Sequence, residues 1–103
     1  WGHEKCVKMI LDRLGDNPIY VTFDLDCLDP TVAPGVANIE PAYKGFNIDE
    51  ARKLIQCLKG KNVIGGDVAC LMPTKDSPNQ ITAMVAASIM FEIICLISVY
   101  RNK

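Results

Sequence analysis

Two strand-like runs in this chain are separated by a stretch with helical spacing, and that order constrains the fold more than any other feature. Ile19-Tyr20-Val21-Thr22-Phe23 is rich in β-branched and aromatic residues and runs into Asp24. Asn62-Val63-Ile64-Gly65-Gly66-Asp67-Val68 is the second run. Between them, Asn47 followed by Glu50 resembles an N-cap with its reciprocal glutamate. The helix it opens is predicted over Ile48 to Leu58, with Ala51, Leu54, Ile55 and Leu58 on its buried face, and Gly60 closes it. Strands joined through a helix cannot form a hairpin. Their connection crosses over, their pairing is parallel, and the chain is expected to be an α/β layered fold.

Two further helices flank this unit. His3 to Leu14 places Cys6, Val7, Ile10, Leu11 and Leu14 on one stripe and ends at Gly15, before the Asn17-Pro18 break. Ile81 to Tyr100 forms the last helix, with Asn79 as its expected cap. Two strands make a poor sheet alone. The rest of the sheet is expected outside these 103 residues, and a start at Trp1 rather than methionine agrees with a fragment or processed piece.

Composition excludes several functions. Half the residues are hydrophobic and 22% are charged, which is globular. The net charge of -1 is spread along the chain, without the basic patch that nucleic-acid binding needs. Five scattered cysteines (Cys6, Cys27, Cys57, Cys70, Cys95) form no CxxC pair and read as reduced thiols in a cytoplasmic compartment. The last helix could span a bilayer by length, with Glu92 its only charge. Gln80, Thr82, Ser88 and Ser98 interrupt it and no second span supports it, so it is expected to lie against a sheet or at a subunit contact, with no membrane involved. There is no signal-peptide pattern at the N-terminus.

The chemistry lies in Phe23-Asp24-Leu25-Asp26-Cys27-Leu28-Asp29-Pro30. Carboxylates stand at the end of a predicted strand, where ligands gather in open parallel sheets. Asp24 and Asp26 are two residues apart, so on an ideal strand both leave the same face. Like charges so close repel unless a cation lies between them, and carboxylate oxygens hold divalent ions well. The alternative is a pair of aspartates capping a turn before a proline. An EF-hand is excluded, because counting from Asp24 its glycine and glutamate positions hold Asp29 and Gly35. A haloacid-dehalogenase-type phosphatase also starts with DxD, but Leu28 and the long loop to Phe46 (Pro30, Pro34, Gly35, Pro41, Gly45) fit it poorly. Loops of that length are commonly functional.

The run FDLDCLDPTVAPGV is similar to the signature of the ureohydrolase family, which holds arginases, agmatinases and formimidoylglutamases. Ile64 to Val68 resembles the family's later strand, and Ile81-Thr82-Ala83 opens a helix as in agmatinase-like members. The resemblance covers nearly all of residues 18 to 100 and implies a three-layer α/β/α arginase-like fold with a parallel sheet. This chain would be the C-terminal portion of that single domain. It further implies manganese-dependent hydrolysis of a guanidino (amidino) or formimino group on a small linear substrate, releasing urea or formamide, by a homo-oligomer carrying two manganese ions per subunit. Asp24 would bridge both ions and Asp26 would bind one. Asp29 reads as a turn former or outer partner, and no catalytic acid or base is assigned in this chain.

Two departures accompany the resemblance. The family's other metal ligands lie in GGDH-type and DAHxD-type segments, which these residues do not include, and His3 stands in no such motif. This piece alone is expected to be inactive. The family's later strand continues as DxxE, whose glutamate faces the guanidinium; here Cys70 holds that substrate-binding position. A thiol lacks the paired oxygens that suit a guanidinium. Cys70 therefore implies a different substrate, an inactive subunit serving assembly or regulation, or a small residue filling space; a nucleophilic role lacks a partner histidine. The loop Ala33-Pro34-Gly35-Val36 leans towards formimidoylglutamase-type members and the Ile81-Thr82-Ala83 helix towards agmatinases and guanidino-acid hydrolases, leaving the subclass open.

Overall fold

The computed structural model describes residues 1–41 and 44–103. The proline-rich loop expected between Cys27 and Phe46 therefore includes two residues, Ala42 and Tyr43, outside the described part. The elements follow the expected order: α1 (His3–Leu14), β1 (Ile19–Asp24), a 3-10 turn (Leu25–Cys27), α2 (Ile48–Gln56), β2 (Val63–Ala69), a second 3-10 turn (Pro73–Lys75) and α3 (Ile81–Arg101). β1 and β2 pair in parallel, from Ile19 opposite Val63 to Asp24 opposite Ala69, with a register shift between Ile19 and Tyr20. α2 opens with the expected capping box: Glu50 N donates to Asn47 Oδ1, and Asn47 N donates to Glu50 Oε1.

One face of the sheet carries the core. Ile19 and Val63 from the strands meet Ile55 of α2, Leu58 in the turn after it, and Ile89, Ile93 and Leu96 of α3. Burial of such side chains contributes roughly 1.5–3 kcal/mol each. Gly66 sets how closely α3 can lie. A Cβ there would sit 2.7 Å from both Ile93 Cγ2 and the Val21 carbonyl oxygen, so the bare backbone of β2 is what admits the helix.

The opposite face is bare among the described residues. Tyr20 is 59% exposed and Ile64 62%, and the Tyr20 hydroxyl donates to Asp67 Oδ2 at 2.9 Å across the strands. The described residues thus form a strand pair with α3, and α2 against it, on one side. α1 buries no residue fully; Leu11 and Leu14 only lean on the rim of the core, and Ile10 stays exposed. Leu54 is likewise only half-buried.

α3 is long and apolar enough to cross a membrane by length and composition. Here Thr82, Ile89, Ile93 and Leu96 bury one side of it, while Met84, Phe91 and Ile94 stand 54–65% exposed on the other. Its cap differs from the sequence expectation. Asn79 does not cap; Gln80 takes the N-cap position in a left-handed conformation without a side-chain bond. Asp76 does the capping from upstream, its carboxylate accepting from Thr82 N and Ala83 N at 3.0 Å each, while Ser77 Oγ accepts from Ile81 N at 3.2 Å.

A pH effect follows from this cap. Desolvation pushes the Asp76 carboxyl up, but the N–H groups of Thr82, Ala83 and Ser77 and the Thr82 hydroxyl outweigh it and hold it below the ordinary value of 3.8. A depressed carboxylate stabilises the folded state fully above that ordinary value and progressively less as pH falls through the folded one. In the full-length protein, Asp76→Asn should lower the melting temperature at neutral pH, and the gap to wild type should close below pH 3.8. A gap that stays constant into strong acid would show that the charge plays no part.

Candidate metal centre

The end of β1 turns sharply because its next apolar side chains point inward. Leu25 is fully buried and Leu28 nearly so, packed with Ala33, Val36 and Ala51 in a second small core. Burying Leu25 forces a 3-10 turn immediately after Asp24. Asp24 and Asp26 thus come together through this turn and not, as the spacing suggested, through the pleat of one strand. Asp26 N donates to Asp24 Oδ1 at 2.8 Å, which fixes the first carboxylate.

The register supplies a third group. Asp24 lies opposite Ala69, so the next residue of β2, Cys70, arrives beside the turn. Cys70 has φ 74°, a left-handed conformation that a non-glycine residue adopts only under constraint. It is exposed, which removes the reading of Cys70 as a core filler within this chain. One ligand atom each from Asp24, Asp26 and Cys70 lie within 4.8 Å of one another.

Electrostatics mark the cluster as short of positive charge. Asp26 Oδ1 is buried without a hydrogen-bond partner among the described residues. Desolvation first, then Asp24 and Glu40, push the Asp26 carboxyl above the usual carboxylate range. A hydrogen bond to Asp24, then desolvation and the charges of Asp24 and Asp26, push the Cys70 thiol up. An orphaned buried carboxylate oxygen is a costly arrangement that a bound cation relieves. The donor set fits a divalent ion, with two hard carboxylates and one softer sulfur. Three donors do not complete one coordination sphere of about four to six ligands, so the remainder must come from other residues or solvent.

Asp29 behaves differently. Its Oδ1 accepts from Thr31 N at 3.0 Å and Thr31 Oγ1 at 2.6 Å, and its Oδ2 accepts from Gly45 N at 3.2 Å. The bond from the Thr31 hydroxyl, then those from the Thr31 and Gly45 backbone, hold its carboxyl below the usual range. These bonds leave Asp29 a turn former that ties the two ends of the proline-rich loop, as expected. Gly45 is required there, because a Cβ would lie 2.5 Å from Asp29 N. The loop is laced further by Asp29 N to the Phe46 carbonyl at 2.9 Å and Met72 N to the Gly35 carbonyl at 2.7 Å. Beside the turn opens a cleft of about 530 Å³ lined by Asp26, Cys27, Glu40, Pro41, Lys44 and Phe46.

The sequence model of the arginase family matches residues 1–96. The chain belongs to the arginase family. It is 40% identical over 102 residues to an agmatinase of Chromobacterium violaceum, a match covering 99% of this chain and 30% of that protein. Among solved structures, a hypothetical agmatinase from Burkholderia thailandensis aligns with TM-score 0.79 at 36% identity, over 90% of this chain and 28% of the other. Proclavaminate amidino hydrolase from Streptomyces clavuligerus aligns with TM-score 0.86 at 29% identity, over 96% and 32%. The chain therefore spans about 30% of the length of the arginase-family proteins it matches. Its parallel α/β arrangement is the arginase-like fold expected from the sequence, and the described residues supply two of its parallel strands and helices packed on one face of them.

Sequence reasoning missed two contributors. Glu40 adds to the negative field on Asp26 from within the loop, where no spacing rule relates the two. Thr82, read as an interruption of the last helix, is fully buried and its Oγ1 accepts from Gly35 N at 2.8 Å. A lone polar residue in an apolar run, close to a proline-glycine loop in space, was the available signal.

Proposed function

We propose that the full-length protein hydrolyses the C–N bond of a small linear guanidino or formimino compound, at a manganese centre to which this chain contributes Asp24 and Asp26. The observation that carries this reading is the buried Asp26 Oδ1, unpartnered among the described residues, beside the Asp24 carboxylate at the strand end of an arginase-family chain. Bound there, the metal pair supplies the Lewis acidity that makes water a nucleophile near neutral pH. Asp24 would bind from a position fixed by the Asp26 N–H, and Asp26 through an oxygen that has no other partner among the described residues. Cys70 stands at the β2 end where the substrate's planar group would lie. The exposed apolar side of α3 supports its burial in a larger domain or an oligomer, and five free thiols support a cytoplasmic setting.

Cys70 also favours a second reading, a ureohydrolase-like subunit without turnover. Cys70→Glu in the full-length protein separates the two. Glutamate would meet the same φ as cysteine, so the exchange adds a carboxylate without a new backbone demand. A charge-assisted hydrogen bond to a guanidinium is worth about tenfold or more in binding. With manganese supplied, wild type should turn over at least one of agmatine, guanidinobutyrate, arginine, guanidine or formiminoglutamate. The variant should shift that preference towards guanidinium substrates. Inactivity of both proteins on all five would support the inactive subunit, and identical profiles would remove Cys70 from the substrate site.

A further inference from the structure

We propose that Cys70 is itself a metal ligand, giving the Asp24–Asp26 centre a thiolate donor and a bias towards divalent ions softer than manganese. This rests on the proposed metal reading of the two aspartates and adds a residue to it. Parallel pairing brings Cys70 to the turn from a different strand, and its Sγ lies within 4.8 Å of both carboxylates. The thiol reaches them because φ at Cys70 is 74°, which turns the residue back over the strand end. On binding, the S–H proton passes to solvent and the sulfur lone pair takes its place on the ion. Sulfur in the donor set selects borderline and soft ions such as zinc, cobalt(II) and cadmium over manganese. The same side chain would then border both ion and substrate, and the two roles are separable by spectroscopy without turnover.

The test uses the full-length protein stripped of metal and titrated with cobalt(II) alone. Wild type should show visible cobalt bands together with a sulfur-to-cobalt charge-transfer band in the near ultraviolet. Cys70→Ser should keep the visible bands, lose the charge-transfer band and bind cadmium at least roughly tenfold more weakly, while its manganese affinity changes less. Cys27→Ser should keep the band, which excludes the neighbouring thiol. Cys70→Gly, which accepts positive φ freely, gives a second variant should serine disturb the fold. Visible bands without charge transfer in wild type would overturn the Cys70 ligand and leave the aspartates standing. A band that survives both Cys70 variants would also overturn it. Failure of wild type to bind cobalt would overturn the metal reading as well.

Discussion

Asp24→Asn and Asp26→Asn, each made in the full-length protein, are expected to lose manganese on dialysis and with it nearly all turnover. Asparagine keeps the shape and one oxygen of each side chain but removes the charge that balances the cation. At Asp26 the loss is direct, since its Oδ1 is buried with no partner among the described residues. At Asp24 the carboxylate also receives the Asp26 N–H, so asparagine must either keep that bond or face the ion with its amide. Loss of an outer partner to a metal ligand already costs roughly 10–100-fold in affinity or activity, and loss of a ligand should exceed the upper end. Asp29→Asn is the contrast: its carboxylate is spent on Thr31 and Gly45, so that variant should retain metal while its loop loosens. Metal analysis after dialysis decides the matter. Two ions per subunit in both the Asp24 and Asp26 variants would overturn the assignment.

The second large effect concerns residues 1–103 expressed alone. They should associate as concentration rises and lack a sharp thermal transition. The sheet is a single parallel pair, so each strand presents an unpaired edge. The face bearing Tyr20 and Ile64 is bare among the described residues, and α3 exposes Met84, Phe91 and Ile94. α1 adds no fully buried residue to the core. Monomeric proteins rarely leave large apolar faces open. Sedimentation over a concentration series, paired with calorimetry, checks this. A monomer that melts cooperatively would show that the two small cores around Ile93 and Leu25 suffice.

Local chemistry was legible where one segment decides it. The capping box at Asn47 and Glu50 and the crossover between β1 and β2 follow from residues close in sequence. The same holds for Asp24 at a strand end, and each stands as read. What was not legible depends on groups that meet through the fold. Asn79 has the right chemistry for a cap, yet Asp76 reaches over the first turn of α3 because the preceding 3-10 turn aims it there. The two aspartates were expected on one pleated face, but burial of Leu25 breaks the strand between them. Cys70 could be compared with a family position, while its left-handed backbone and its closeness to both carboxylates depend on strand register.

The parallel pairing has a consequence for the order of events during folding. Asp24 and Cys70 sit on strands joined only through the whole α2 crossover, so they become neighbours when that crossover closes and not before. Contacts of such sequence separation are slow to form. A growing chain presents Asp24 and Asp26 well before β2 exists, as an open pair that any passing cation can visit and leave. The cluster of Asp24, Asp26 and Cys70 is complete only with the docking of β2, in the same movement that pairs the strands. On the ligand set proposed above, selection of the metal would therefore belong to the finished sheet, exercised after the chain has committed to its topology.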